Sequence, residues 1–347
     1  MSEQESTPMT PSTDPATAKP ASETVKAELA GLHRARAAVN AIVIGQHAVV
    51  DEVFIALLCG GHVLLESAPG LGKTLLVRTM GSVCGMRFTR IQFTPDLMPA
   101  DITGTYTLVT GAGGETTTSF QQGPIFAQMV LADEINRATP KTQSALLEAM
   151  QEGTVTVSGT EYRLPVPFFV LATQNPIEME GTYVLPEAQV DRFFFKITLP
   201  FPGVDVLESI LDATTGGHSA DPARALEPDA IVRLQALVRD VPIASALRRA
   251  VAHFVRATQP DLPEAHPDVR RYVRFGVSPR GAQTLVLAAK AHALLAGRFN
   301  VAPDDVRAVA LPTLRHRLQL NFEGASANVD LEKLTLSLLD TSLRSAR

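Results

Sequence analysis

The chain of 347 residues has no tryptophan, four tyrosines and two cysteines, and aromatic residues make up 5% of it. So few aromatics leave little to stack against unpaired bases, which argues against a single-strand binding surface. Cys59 and Cys84 fit neither a paired framework nor a metal-ligand spacing. Free thiols suit a reducing cytoplasm. Basic excess is also missing. The formal net charge is −5, so no global field holds nucleic acid. No apolar run approaches the length of a membrane span, and the first residues lack the basic-then-apolar order of a secretion signal. What is present is 45% hydrophobic residues, enough for real cores, in a chain long enough for two domains.

One stretch organises the rest. His62-Val63-Leu64-Leu65 reads as a buried strand, and Leu75-Leu76-Val77-Arg78-Thr79-Met80 as a helix. Between them stands Glu66-Ser67-Ala68-Pro69-Gly70-Leu71-Gly72-Lys73-Thr74. Strand, glycine-containing turn and helix form the context of a phosphate-binding loop, here Pro69, Gly70, Leu71, Gly72, Lys73, Thr74 and Leu75. The two glycines let the backbone approach phosphate oxygens, and the following helix N-terminus favours the same anion. Lys73 can reach the β- and γ-phosphates, and the Thr74 hydroxyl can ligate Mg²⁺. Ser67 stands where the usual pattern has glycine.

The second chemical stretch is Met129-Val130-Leu131-Ala132-Asp133-Glu134, an apolar strand ending in two carboxylates. Beside a phosphate loop, Asp133 is expected to hold Mg²⁺, through water or directly, and Glu134 to act as general base for the attacking water. Phe168 to Thr173 reads as another buried strand, ending at Gln174-Asn175-Pro176, where Asn175 can orient water near the γ-phosphate. Strands alternating with helices imply a parallel sheet with ligands at the strand carboxyl ends.

The organisation expected is a disordered tail over 1–22, an α/β core over 23–200, a linker over 201–225 and an all-α domain over 226–347. Ser, Thr, Pro, Ala and Glu dominate the tail, which cannot bury enough surface to fold. Thr103 to Phe120 reads as a hairpin around a mobile Gly111-Ala112-Gly113-Gly114 tip. In the helical region, Arg280 follows Ser278-Pro279 at a helix start. A cation is unfavourable against the dipole there, so either an anionic ligand or a surface salt bridge is expected.

Several segments carry a family resemblance. These are Pro95-Asp96-Leu97, Asp101-Ile102-Thr103-Gly104, Gly123-Pro124-Ile125-Phe126, Asp133-Glu134-Ile135-Asn136-Arg137-Ala138, Gln143-Ser144-Ala145-Leu146-Leu147-Glu148-Ala149-Met150, Ala172-Thr173-Gln174-Asn175-Pro176 and Leu185-Pro186-Glu187-Ala188-Gln189-Val190-Asp191-Arg192-Phe193. Together they resemble the MoxR family of AAA+ ATPases, over about residues 25–345. The resemblance implies an αβα core with a parallel sheet, a helical lid, and ATP with Mg²⁺ as cofactors. It implies a ring, often hexameric, and a chaperone-like role, frequently with partners carrying von Willebrand factor A domains. By the same resemblance Asn175 matches sensor 1, Arg192 the arginine finger and Arg280 sensor 2, serving its own site or a neighbour's. Gly45 and Gln46 match the segment beside the adenine, and the 103–120 hairpin the helix-2 insertion. Arg137 is a second candidate for a cross-subunit role. The functions weighed are an ATP-hydrolysing remodeller of proteins, a nucleotide-held binding module, a nucleic-acid motor and a metal-chelatase motor subunit.

Overall fold

The structure is a computed structural model that describes residues 18–110, 115–175, 182–215 and 222–344. The Gly111–Gly114 hairpin tip, Pro176 and most of the expected tail lie outside them. In chain order the first elements are α1 (Ala18–Ile42), α2 (His47–Leu58), β1 (Val63–Glu66), α3 (Lys73–Val83), β2 (Phe88–Gln92), α4 (Pro99–Thr103), β3 (Gly104–Thr110) and β4 (Thr116–Gln122). Next come β5 (Met129–Asp133), α5 (Pro140–Glu152), β6 (Thr154–Val157), β7 (Thr160–Arg163), β8 (Phe169–Gln174), α6 (Glu187–Val190) and β9 (Phe195–Thr198). The remainder is α7 (Val204–Thr215), α8 (Pro228–Asp240), α9 (Ser245–Ala257), α10 (Pro267–Tyr272), β10 (Val273–Phe275), α11 (Pro279–Leu295), α12 (Pro303–Ala308), α13 (Ala310–Leu314), β11 (Gln319–Leu320), α14 (Phe322–Ser326) and α15 (Leu331–Arg344).

Five parallel strands form the sheet in the order β2-β5-β8-β1-β9. Both faces are covered, as continuous apolar strands require. Alternation along each strand divides the side chains between two cores. Val63, Leu65, Met129, Leu131, Phe169 and Leu171 join the side that holds α1, α2 and α3. Leu64, Val130, Ala132, Val170 and Ala172 join the side that holds α5. The same period of two puts Asp133, two residues beyond Leu131, and Thr173, two beyond Leu171, on the α3 side.

The first core continues through Leu226, Ile231, Leu285, Leu294, Leu314 and Leu339, so the helical region and the sheet share one apolar cluster. Among the described residues no helix is long and apolar enough to cross a membrane.

Three features differ from the sequence expectation. Helix α1 begins at Ala18, inside the stretch read as tail. Helix α7 lies inside the stretch read as a linker. Its Val206 covers Gly45, where an added Cβ would stand 2.2 Å from Val206 Cγ1. The region after Gly203 is not wholly helical, because β10 and β11 pair antiparallel through Val273 and Leu320. Such short strands show no periodicity to read.

Candidate nucleotide site

Parallel pairing brings the carboxyl ends of β1, β5 and β8 to one edge of the sheet. The loop after β1 carries Pro69, Gly70, Leu71 and Gly72, and Lys73, Thr74 and Leu75 open α3. Gly70 and Gly72 have φ of +81° and +80°, which a side chain would resist. An added Cβ at Gly70 would meet nothing within 4 Å, so the cradle faces open space. Gly72 is the N-cap of α3 and gives no side-chain cap. The first N–H groups of the helix thus remain available to an anion.

Gln46 closes the loop from the other side. Its Nε2 donates to the Leu71 carbonyl at 3.0 Å, and its Oε1 is buried without a partner. A cavity of about 360 Å³ lies beside it, lined in part by Gly45, Glu52, Leu199, Val206 and Arg315. Burial pushes the Glu52 carboxyl up to about 7, against the opposing pull of the Arg315 guanidinium. The sequence reading missed Glu52, which belongs to no motif.

Asp133 ends β5 with its side chain 10% exposed. Thr173, one strand over, donates from Oγ1 to Asp133 Oδ1 at 2.6 Å and accepts the Glu134 N–H at 2.8 Å. Glu134 adopts φ +58°, turning the chain sharply out of the strand. Its carboxylate accepts from Gln92 Nε2 at 2.8 Å and pairs with Arg137 Nη1 at 3.3 Å. Asn175 follows β8 and is buried. Lys73, Thr74, Asp133, Glu134 and Asn175 therefore lie around one edge. Thr173 and Gln92 were not foreseen, since their contacts depend on strand register.

Arg192 and Arg280 stand elsewhere. Arg192 is in the turn after α6, and among the described residues it forms no ion pair with its neighbour Asp191. Asp191 is instead taken by two lid arginines. Arg317 Nε donates to its Oδ1 at 2.8 Å, and Arg280 Nη1 lies 3.7 Å from Oδ2. The salt-bridge reading of Arg280 is thus realised within the chain. Ser278 caps its helix, accepting the Gly281 N–H at 3.2 Å.

The donor set fits a magnesium nucleotide: an open glycine cradle, an uncapped helix start, a lysine, a hydroxyl and a strand-end carboxylate, with an orphaned amide oxygen beside the cavity. Comparisons with known proteins agree. Residues 62–195 match the ATPase family associated with various cellular activities (AAA), and residues 266–334 match an AAA lid domain. The chain is 42% identical to Chaperone MoxR1 of Mycobacterium tuberculosis, over 92% of this chain and 84% of that protein. It is 36% identical to Protein MoxR of Paracoccus denitrificans, over 83% of this chain and 88% of that one. A crystal structure of a candidate ATPase from Cytophaga hutchinsonii superposes with a TM-score of 0.86 at 35% identity, covering 93% of this chain and 97% of its own. On these relatives and this architecture, the chain belongs to the MoxR family of AAA+ ATPases.

Proposed function

We propose that this protein hydrolyses ATP and uses the cycle to remodel or activate protein partners in the cytoplasm. The observation that carries the reading is the meeting of the Lys73 loop with Asp133, Glu134 and Asn175 at the carboxyl ends of adjoining parallel strands. In this reading Lys73 and the N–H groups from Gly70 to Leu75 bind the phosphates, and Pro69 shapes the entry to the loop. Thr74 and Asp133 would hold Mg²⁺, which when bound would neutralise charge on the phosphates. Glu134 takes the proton of the attacking water, and Asn175 orients that water. Gly45 and Gln46 border the cavity for the adenine.

The position of Arg192 supports assembly. Arg192, on a turn away from the phosphate loop, serves the site of a neighbouring subunit in a hexameric ring. Arg280 adds charge from the lid. A relative named as a chaperone supports a protein client. Proteins carrying von Willebrand factor A domains are the partners proposed. The β3–β4 hairpin, with Leu108 and Val109 exposed, contacts the client and takes no part in the chemistry.

The test mixes Lys73→Ala with Arg192→Ala subunits and follows phosphate release. Each variant alone is inactive. Mixed rings regain activity, because an intact phosphate loop meets an intact finger. Persistent inactivity in rings shown to be mixed refutes the role in trans.

A further inference from the structure

Arg90 lies on the edge strand β2 and reaches across to the end of β5. Its Nε and Nη2 both donate to Asp133 Oδ2, at 3.1 and 2.6 Å. Thr173 holds Oδ1. A carboxylate oxygen has two lone pairs, and the guanidinium takes both on Oδ2. The same Nη2 donates to Gln92 Oε1 at 2.6 Å, and Gln92 passes a hydrogen bond to Glu134. Arg90 itself is 48% exposed against 10% for Asp133, so the cation can swing into water while the carboxylate stays fixed.

We infer that Arg90 is a resident counter-cation, which neutralises Asp133 in the metal-free protein and leaves Oδ2 when magnesium binds there. The inference rests on the assignment of Asp133 to the metal as a direct ligand. Two cations cannot share one oxygen without strong repulsion. The guanidinium therefore competes with Mg²⁺ and sets how much metal the site demands. It also keeps an uncompensated Asp133 from repelling nucleotide phosphates before metal arrives. The fork geometry matters, because Nε and Nη2 act on one acceptor as a pair and lysine has no such pair.

Affinity of the full chain for a fluorescent ADP analogue, measured in EDTA and in saturating Mg²⁺, gives the test. The readout is the ratio of the two affinities, which does not depend on turnover. Arg90→Ala is expected to raise that ratio about threefold to tenfold over the wild type, by weakening binding in EDTA and easing metal entry. Arg90→Lys, which keeps the charge but loses the fork, is expected to fall between them. Circular dichroism and a melting curve establish that each variant is folded. Asp133→Asn serves as the control and is expected to collapse the ratio toward one. An unchanged or lowered ratio in folded Arg90→Ala, with Asp133→Asn behaving as expected, overturns the role of Arg90 alone. An Asp133→Asn variant with a wild-type ratio overturns the metal assignment beneath it.

Discussion

Arg317 Nε donates to Asp191 Oδ1 at 2.8 Å across 126 positions of the chain. The same guanidinium donates to the carbonyls of Asp191, Phe193 and Phe194. A lid side chain thereby grips the backbone on both sides of Arg192. His316 adds a contact from Nε2 to the Phe193 carbonyl at 3.1 Å. These bonds tie the lid to the backbone that carries Arg192.

Arg317→Ala removes a cation whose side chain is 2% exposed and strips partners from Asp191 and from the carbonyls beside Arg192. Breaking a buried pair on one side costs roughly 3 kcal/mol or more. Asp191 is itself 26% exposed, which places the expected loss near the lower end. Urea unfolding measures it, and a change below about 0.5 kcal/mol shows that the clamp contributes little.

Thr173→Val keeps the shape of a buried side chain while deleting its hydroxyl. Asp133 loses its Oδ1 donor, and the Glu134 N–H loses its acceptor. Turnover is expected to fall about tenfold, equivalent to about 1.4 kcal/mol of barrier, with nucleotide affinity in EDTA little altered. Steady-state phosphate release and binding in EDTA together check this. Unchanged turnover shows that the hydroxyl does not position the acidic pair.

The fold was legible in outline because its signals are local. The phosphate loop, the acidic strand end and each strand or helix of the αβ alternation occupy short consecutive runs. Helix α7 was not legible. It follows Pro202-Gly203 and buries no residue, and Val204 is 82% exposed. Residues 303–314 form two short helices, α12 and α13, because Pro312 has no N–H to donate to Ala308. Arg90 and Gln92 stand in none of the segments that carry the resemblance. Their value comes from the β2–β5 register, which sets Gln92 opposite Asp133. Arg317 is likewise visible only once the lid packs on the segment after α6.

His62 supplies a pH dependence. Its Nδ1 accepts the Val170 N–H at 3.1 Å and its Nε2 donates to the Met150 carbonyl at 2.9 Å, which ties β8 and α5 to the start of β1 in the neutral form. Burial pushes the imidazole down to about 4. Between about pH 6.5 and 4 the unfolded chain takes up a proton that the folded chain refuses. Stability from this group is whole above that window and is lost as pH falls through it, by about 3 kcal/mol at most. Unfolding free energies from pH 7 to 4 measure the slope, and His62→Gln is expected to flatten it. An NMR titration that places the folded imidazole near 6.5 contradicts the assignment.

Glu134→Gln tests the central claim most directly. The amide preserves the size of the carboxylate at the end of β5 and removes its basicity, while the Lys73 loop, Thr74 and Asp133 stay intact. Nucleotide affinity and phosphate release are measured on the same folded preparation. The account predicts ATP binding close to that of the wild type and turnover lower by about 10²-fold or more. Near-normal turnover in Glu134→Gln contradicts it.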